Sequence, residues 1–126
     1  MPRTGQGNPL NGSLDLLLLG GLRDVEVHGY ALISRLRLMS DGQFDLPEGS
    51  VYPALHRLEA AGLVSGRWLS EAGRRRRAYS LTRAGRTALA DRSRRWAEFV
   101  SGVDAVLGQT HREPTTGLQS SGRGRP

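Results

Sequence analysis

The sequence predicts a mainly α-helical fold with a two-stranded β wing, namely a winged helix-turn-helix followed by a long C-terminal dimerisation helix. Three observations lead to this prediction. Apolar residues recur with helical spacing in short segments between residues 13 and 63. Two strand-like segments then flank a turn in residues 64–81, and four consecutive arginines follow that turn. Residues 83–107 repeat apolar residues in alternating steps of four and three, which is typical of a coiled-coil interface.

The composition indicates one small, basic domain. A chain of 126 residues has room for a single core, and its net charge of +6 comes from 18 arginines and no lysine. Arginine binds phosphate and guanine edges with two parallel hydrogen bonds, so an arginine surface favours nucleic acid; an anionic membrane is the competing partner. The lack of cysteine excludes disulfides and thiolate metal sites. We expect a cytosolic protein without a membrane partner, since no membrane-spanning segment or signal peptide is recognisable.

The first two helices supply much of the predicted core. Residues 1–12, rich in Gly, Pro and Asn, are expected to be a disordered arm. Ser13 is predicted to cap the first helix, whose six leucines between residues 14 and 22 require burial on most sides. Residues 24–27 are predicted to form a short connection. A second helix is predicted from His28 to about Met39, with an apolar stripe along one face.

The third helix, within residues 46–63, is the candidate for reading DNA. Its apolar residues Val51, Leu55 and Leu58 share one face. The opposite face carries Ser50, Tyr52, Pro53, His56, Arg57 and Ala60. A helix that buries one side and offers small, aromatic and basic side chains on the other fits a DNA major groove. Taken alone, however, the segment is more typical of an ordinary amphipathic core helix.

The start of this third helix is open. With Ser50 as the N-cap, Pro53 would lie in the first turn, where proline is tolerated. A start nearer Pro47 would leave Pro53 in the interior, where it should bend the helix.

The predicted hairpin carries a concentrated positive charge. Residues 64–69 and 74–81 are expected to be its strands, joined by a turn at residues 70–73. The second strand begins with Arg74, Arg75, Arg76 and Arg77, whose like charges repel one another. Such a run favours an anion as the usual neighbour, and the alternative is a turn that only aids solubility.

The last helix is expected to join two copies of the chain. Thr82 is predicted to cap a helix over residues 83–107, which is about 37 Å long at 1.5 Å per residue and would extend beyond so small a domain. The chain would then consist of a winged helix-turn-helix domain at 13–82, this dimerisation helix, and a disordered tail at 108–126. The residues predicted at the dimer interface are Leu89, Trp96, Val100, Val103 and Leu107.

Four segments together carry a resemblance to a known family. They are Leu-Leu-Leu-Leu-Gly-Gly-Leu at 16–22, His-Gly-Tyr at 28–30, Gly-Ser-Val-Tyr-Pro-Ala-Leu-His-Arg-Leu-Glu-Ala-Ala-Gly-Leu-Val at 49–64, and Gly-Arg-Arg-Arg-Arg-Ala-Tyr-Ser-Leu-Thr-Arg-Ala-Gly at 73–85. In this order and spacing, the chain resembles the PadR-like transcriptional regulators over residues 14–107, in particular the short subfamily with a single C-terminal helix. The departure is Pro47, where the family usually has a polar residue that can cap the helix.

The resemblance implies a homodimeric repressor of neighbouring genes that binds double-stranded DNA and is released by a small-molecule effector or a change in conditions. A two-fold dimer implies a palindromic operator with half-sites about 34–36 Å apart, or a multiple of that distance. Carried over by position, the implied DNA-binding residues are Tyr30, Ser50, Tyr52, Pro53, Arg57, Arg74, Arg75, Arg76 and Arg77.

An effector site is implied by a multidrug-sensing branch of the same family. In that branch an aromatic residue on the last helix flanks a flat ligand at the dimer axis, and Trp96 occupies a comparable place. The alternative is that Trp96 only packs the dimer. The residues expected to line such a site are Leu14, Leu18, Arg92, Arg95, Trp96, Phe99 and Val100, where an arginine would meet an anionic ligand.

Catalysis is not expected. The three histidines, His28, His56 and His111, show no metal-ligand spacing, and neither a G-x-S-x-G nor a phosphate-binding glycine motif is present. We therefore predict no enzymatic activity, no cofactor and no metal. Two other functions stay open, because fold does not determine function. One is an adaptor that binds an acidic protein, and the other is a non-specific DNA-binding protein.

Overall fold

The computed structural model describes residues 9–109, with side chains from residue 12 onward. The elements in this range are α1 (Pro9–Gly21), β1 (Val27–His28), α2 (Gly29–Met39), α3 (Glu48–Ala60), β2 (Val64–Glu71), β3 (Arg74–Leu81) and α4 (Arg83–Leu107). This arrangement confirms the predicted fold class of a mainly helical chain with a wing and a long last helix. The chain divides between Ser93 and Arg94 into two compact units. Within the described range, no helix is long and apolar enough to cross a bilayer.

Helix α1 begins earlier than predicted. It starts at Pro9, so Ser13 lies inside the helix and the prediction that Ser13 caps it was wrong. Proline suits the first helical position because its φ is already near the helical value and its missing N–H would have no partner there. Residues 9–12 of the predicted arm therefore belong to α1, while residues 1–8 and 110–126 lie outside the described range.

The sheet has a third strand that the sequence analysis missed. Strand β1 pairs with β3 in antiparallel fashion, with Val27 opposite Tyr79 and His28 opposite Ala78, and the strand order is β1-β3-β2. A strand of two residues is too short to show the alternation on which prediction depends. As a result Val27, placed in a connection, and His28, placed in the second helix, are both strand residues, and α2 begins at Gly29.

The wing is a tight hairpin with a shorter turn than predicted. Its register runs from Val64 opposite Leu81 to Glu71 opposite Arg74, so the first strand extends to Glu71 instead of ending at residue 69. The turn consists of Ala72 and Gly73, which both have positive φ (51° and 76°). Two consecutive residues with positive φ form a type I′ turn, whose twist matches that of the flanking strands.

Helix α3 uses the earlier of its two expected starts. It begins at Glu48 with Pro47 as the N-cap, so Ser50 is not a cap and Pro53 lies inside the helix. Pro53 has no N–H to donate to the carbonyl of Gly49, yet α3 continues as one helix to Ala60. The helix ends as predicted near Gly62, which has φ 79°, and the N–H of Leu63 donates to the carbonyl of Leu58 at 3.0 Å.

A single hydrophobic core holds α3 in place within the first unit. The buried face of α3 packs against leucines of α1 and α2 and against the sheet, and each fully buried large side chain stabilises the fold by roughly 1.5–3 kcal/mol. The core residues are Leu14, Leu18, Leu19, Leu22, Leu32, Ile33, Leu36, Val51, Ala54, Leu55, Leu58, Val64, Tyr79, Leu81 and Leu89. The opposite face of α3 is left on the surface.

Helix α4 has the predicted bounds, Arg83–Leu107, and the predicted cap. The side-chain oxygen of Thr82 accepts a hydrogen bond from the Gly85 N–H at 2.9 Å, and its hydroxyl donates to the carbonyl of Gly62 at 2.6 Å. Thr82 therefore ties the start of α4 to the end of α3.

Candidate nucleic-acid interface

The solvent-facing side of α3 consists of residues that do not pack in the core. At 100° per residue, the middle of the face opposite the core carries Gly49, Pro53, His56 and Ala60, and all four are exposed. Ser50 is exposed at the edge of the same face. Within residues 9–109, the Ser50 and His56 side chains have no hydrogen-bond or ion-pair partner, so their polar groups are available to a ligand. His56 was noted on this face from the sequence but was not included among the DNA-binding residues.

Tyr52, at the other edge of α3, is held against α2. A Cβ placed at Gly29 would lie 2.6 Å from the Tyr52 ring, so only glycine allows this contact. Burial raises the pKa of the Tyr52 phenol, and the nearby Glu48 carboxylate raises it further, which keeps the hydroxyl protonated and able to donate. Tyr30, the other tyrosine predicted to contact DNA, is 62% exposed in the first turn of α2.

Arg57 forms an ion pair with an aspartate of another helix. Its guanidinium donates to both carboxylate oxygens of Asp15 in α1, at 3.2 Å each. The Arg57 side chain is still 52% exposed, whereas that of Asp15 is 16% exposed. A guanidinium has five N–H donors, so three remain for a ligand such as a guanine edge.

The four consecutive arginines of the wing do not share one environment. Arg74, Arg75 and Arg76 are exposed, whereas Arg77 is half-buried and forms an ion pair with Glu59 of α3. Alternation along β3 places Arg74 and Arg76 on one face of the hairpin and Arg75 and Arg77 on the other. Three of the predicted phosphate ligands are therefore presented to solvent, and the fourth is bound to the candidate recognition helix.

Acids also contact other basic groups around the sheet. Arg67 of β2 donates two hydrogen bonds to Glu26, at 2.6 and 2.8 Å, and this bonding lowers the pKa of the Glu26 carboxyl and raises that of Arg67. His28 Nε2 lies 2.9 Å from Glu71 Oε1 near the wing turn. The positive charge of the wing is thereby concentrated at Arg74–Arg76.

Trp68 is a further residue of the wing surface that the sequence analysis did not propose as functional. It lies on the face of β2 shared with Val64 and Gly66, at the exposed end of that face. Its side chain has the guanidinium carbon of Arg75 at 4.6 Å from the ring centroid. The sequence feature that could have pointed to Trp68 is a tryptophan shortly before the turn of an arginine-rich hairpin.

The residues predicted to line a ligand site lie in different environments. Leu14 and Leu18 belong to the core of the first unit. In the second unit Trp96 and Phe99 are 48% and 62% exposed, and their ring centroids are 5.8 Å apart. Arg92 and Val100 are half-buried, and Arg95 is exposed.

The residues predicted at the dimer interface also differ in exposure. Leu89 is buried in the core of its own chain. Val103 and Leu107 are exposed, as is Trp96. The predicted interface residues that are exposed in the described part of the second unit are therefore one aromatic and two aliphatic side chains of α4.

Comparisons with known proteins agree with this architecture. The model of the transcriptional regulator PadR-like family matches residues 18–91. The transcriptional regulator Rv3488 of Mycobacterium tuberculosis is 40% identical over 96 residues, covering 76% of this chain and 85% of that protein. Of the solved structures, a PadR family transcriptional regulator from Eggerthella lenta is 28% identical with a TM-score of 0.68, covering 81% of this chain and 88% of its own.

A second solved structure, a PadR-like transcriptional regulator from Bacillus cereus, is 27% identical with a TM-score of 0.67 and covers 80% of this chain and 97% of its own. The match to the family model spans more than half of the chain and includes α2, α3 and the wing. The chain belongs to the PadR-like family of transcriptional regulators.

Proposed function

We propose that this regulator is a sequence-specific DNA-binding repressor that acts as a homodimer on a palindromic operator and is released by a small-molecule effector. The observation that carries the DNA-binding part is the ion pair between Glu59 and Arg77. It joins α3, with its exposed polar face, to the strand that presents Arg74–Arg76. A helix for the major groove and a cationic hairpin for the adjacent phosphates then lie side by side.

The exposed face of α3 and the wing arginines make different contributions to DNA binding. Arg74–Arg76 supply charge to phosphates, which gives affinity for any DNA sequence and makes binding depend on salt. Ser50 and His56 offer a hydroxyl and an imidazole to base edges, and Arg57 keeps three donors free for guanine. Pro53 presents an apolar surface suited to a thymine methyl group.

A footprint on the DNA upstream of its own gene tests this proposal. We expect a protected region with two half-sites about 34–36 Å apart, or a multiple of that distance, and a preference of at least about a thousandfold over random DNA. His56→Ala and Ser50→Ala should change which bases are preferred within the half-site. Equal affinity for operator and random DNA would indicate a non-specific binder, and no DNA binding together with stable capture of an acidic protein would indicate an adaptor.

The homodimer is proposed from the second half of α4. Trp96, Phe99, Val103, Val106 and Leu107 are exposed, although a soluble helix normally covers a row of large apolar residues. Pairing with the same helix of a second copy would bury these side chains, and the steps of four and three suit that packing.

A charge placed in this apolar row should therefore separate the copies. Trp96→Arg is expected to give a monomer in light scattering, because an unpaired guanidinium would be buried at the interface. Ala105→Arg is the matched control, since Ala105 is exposed on the opposite side of the same helix. A Trp96→Arg protein with the mass of a dimer would contradict this arrangement.

The effector proposal depends on the exposed pair of Trp96 and Phe99, whose tilted rings offer an apolar surface to a planar compound. Repeating the footprint with planar aromatic compounds tests it. Release of the operator by such a compound in the native protein, but not in Trp96→Ala, is the expected result. An equal response of both proteins would place the ligand elsewhere.

A further inference from the structure

A series of side-chain interactions runs from α3 to the exposed end of the wing. Trp68 of β2 lies opposite Arg77 in the register, and Ser70, two residues further, lies opposite Arg75. Both arginines therefore share a face with Trp68, and their guanidinium carbons are 4.6 Å (Arg75) and 5.4 Å (Arg77) from its ring centroid. These distances are within the range of a cation–π interaction.

Arg77 is the fixed point of this series. Its guanidinium forms the ion pair with Glu59, and it also lies over Gly66, where a Cβ would be 2.8 Å from Arg77 Nε. A carboxylate, an aromatic ring and a bare stretch of backbone therefore hold Arg77, which is half-buried. This environment explains glycine at position 66 and leaves Arg77 poorly placed to bind a phosphate.

Arg75 is held by the same ring but stays exposed. A guanidinium stacked on an aromatic ring uses its π face, so the N–H donors around its edge are still free for a phosphate oxygen. Stacking also restricts the long side chain before DNA arrives, and a side chain that is already ordered loses less entropy on binding.

We propose that Trp68 is a positioning residue for DNA binding: it holds Arg75 ready for a phosphate, and its ring is itself held by Arg77, which Glu59 ties to α3. Arg77 is then the connector between the two surfaces, and Arg75 is the phosphate ligand. This inference rests on the proposed DNA-binding function. Trp68 itself does not contact DNA in this arrangement, which separates it from a tryptophan that packs directly on the sugar–phosphate backbone.

The first test uses the free protein and does not depend on DNA binding. The Trp68 ring should shift side-chain proton resonances of Arg75 upfield in NMR spectra. Trp68→Leu should abolish this shift, and Trp68→Phe should retain part of it. Random-coil values for Arg75 in the native protein would overturn the proposed stack whatever the chain binds.

The second test is a double-mutant cycle on the operator, read by fluorescence anisotropy at fixed salt. Arg75→Ala is expected to weaken binding about tenfold, as for removal of a hydrogen bond to a charged group. Trp68→Leu should weaken it about threefold, Trp68→Phe should restore most of that affinity, and the Arg75→Ala, Trp68→Leu double variant should be no weaker than Arg75→Ala alone. Ser65→Ala, an exposed change on the other face of β2, is the control.

Additive effects in this cycle would show that Trp68 binds DNA independently of Arg75 and would overturn the proposal, as would native affinity in Trp68→Leu. Circular dichroism at each step separates these results from unfolding. A native protein that does not distinguish operator from random DNA would refute the proposed function instead, while the NMR result would still decide the stack.

A third test uses Glu59→Ala, and its readout is whether the affinity for the operator rises or falls. Removing a carboxylate near DNA should raise affinity through electrostatics alone. If Glu59 holds the connector, affinity should instead fall about two- to threefold, because Arg77 and the stacked Arg75 lose their anchor. A rise in affinity would show that the charge of Glu59 outweighs any anchoring of Arg77, and would overturn the assigned role.

Discussion

Replacing Gly85 with alanine is expected to destabilise the domain by about 3 kcal/mol or more, because overpacking against backbone cannot relax through a side chain. A Cβ at this position would lie 1.9 Å from the carbonyl oxygen of Leu63 and 3.0 Å from its carbonyl carbon. Urea denaturation followed by circular dichroism measures the change.

The surrounding hydrogen bonds explain why the clash cannot be avoided cheaply. The carbonyl of Leu63 accepts the N–H of Thr82 at 3.1 Å, and the Thr82 hydroxyl donates to the neighbouring carbonyl of Gly62. Moving the Leu63 carbonyl away from Gly85 would break the first bond, and moving the start of α4 would break both. The substitution therefore acts on the junction between α3, the wing and α4.

Gly102→Ala is the matched control, since it makes the same chemical change in the same helix. Nothing lies within 4 Å of a Cβ at Gly102, so alanine should stabilise α4 by about 0.5–1 kcal/mol through its better helix propensity. Similar stabilities for the two variants would contradict the close approach at Gly85.

The elements that could be predicted from the sequence are those whose signals are local. Helix α4 has a capping Thr82 at one end and an apolar repeat along its length, and its bounds agree with the prediction. The wing strands alternate and surround a glycine turn, so they were found, although the turn was predicted two residues too long. Each of these features depends on residues close together in the chain.

The elements that could not be predicted depend on distant partners. Strand β1 exists because Val27 and His28 pair with β3, about fifty residues later, and two residues carry no pattern of their own. Helix α3 begins at Glu48 although Pro47 offers no side-chain cap. The flanking Leu46 and Val51 both pack on the core, which is the arrangement of a hydrophobic staple and favours the earlier start.

The candidate interface shows the same division. The arginine run and the polar face of α3 are visible in the sequence, but the acids that engage them are not. Asp15 binds Arg57 from 42 residues away, and Glu59 binds Arg77 from 18 residues away. Identical side chains in one run, such as Arg75 and Arg77, consequently receive different roles that only their packing reveals.

The largest effect on DNA binding is expected from removing the exposed charge of the wing. Arg74→Ala, Arg75→Ala and Arg76→Ala combined should weaken binding to operator and random DNA alike by at least about a hundredfold at moderate salt, since each side chain can make a charge-assisted hydrogen bond to phosphate. The slope of log affinity against log salt should become shallower by roughly 0.9 for each phosphate ligand removed. Titrations at several salt concentrations measure both quantities.

Two comparisons make this prediction specific to charge. Replacing the same three residues with lysine keeps the charge and should restore most of the affinity for random DNA. Lysine would not reproduce the bidentate hydrogen bonds that a guanidinium can make at the operator. Thermal stability of the alanine variant should change little, because the relief of repulsion among three adjacent exposed like charges offsets the loss of the contact between Arg75 and Trp68. Reduced affinity for the operator alone, with random DNA and the salt slope unchanged, would instead assign Arg74–Arg76 to base recognition and leave the phosphate contacts to other residues.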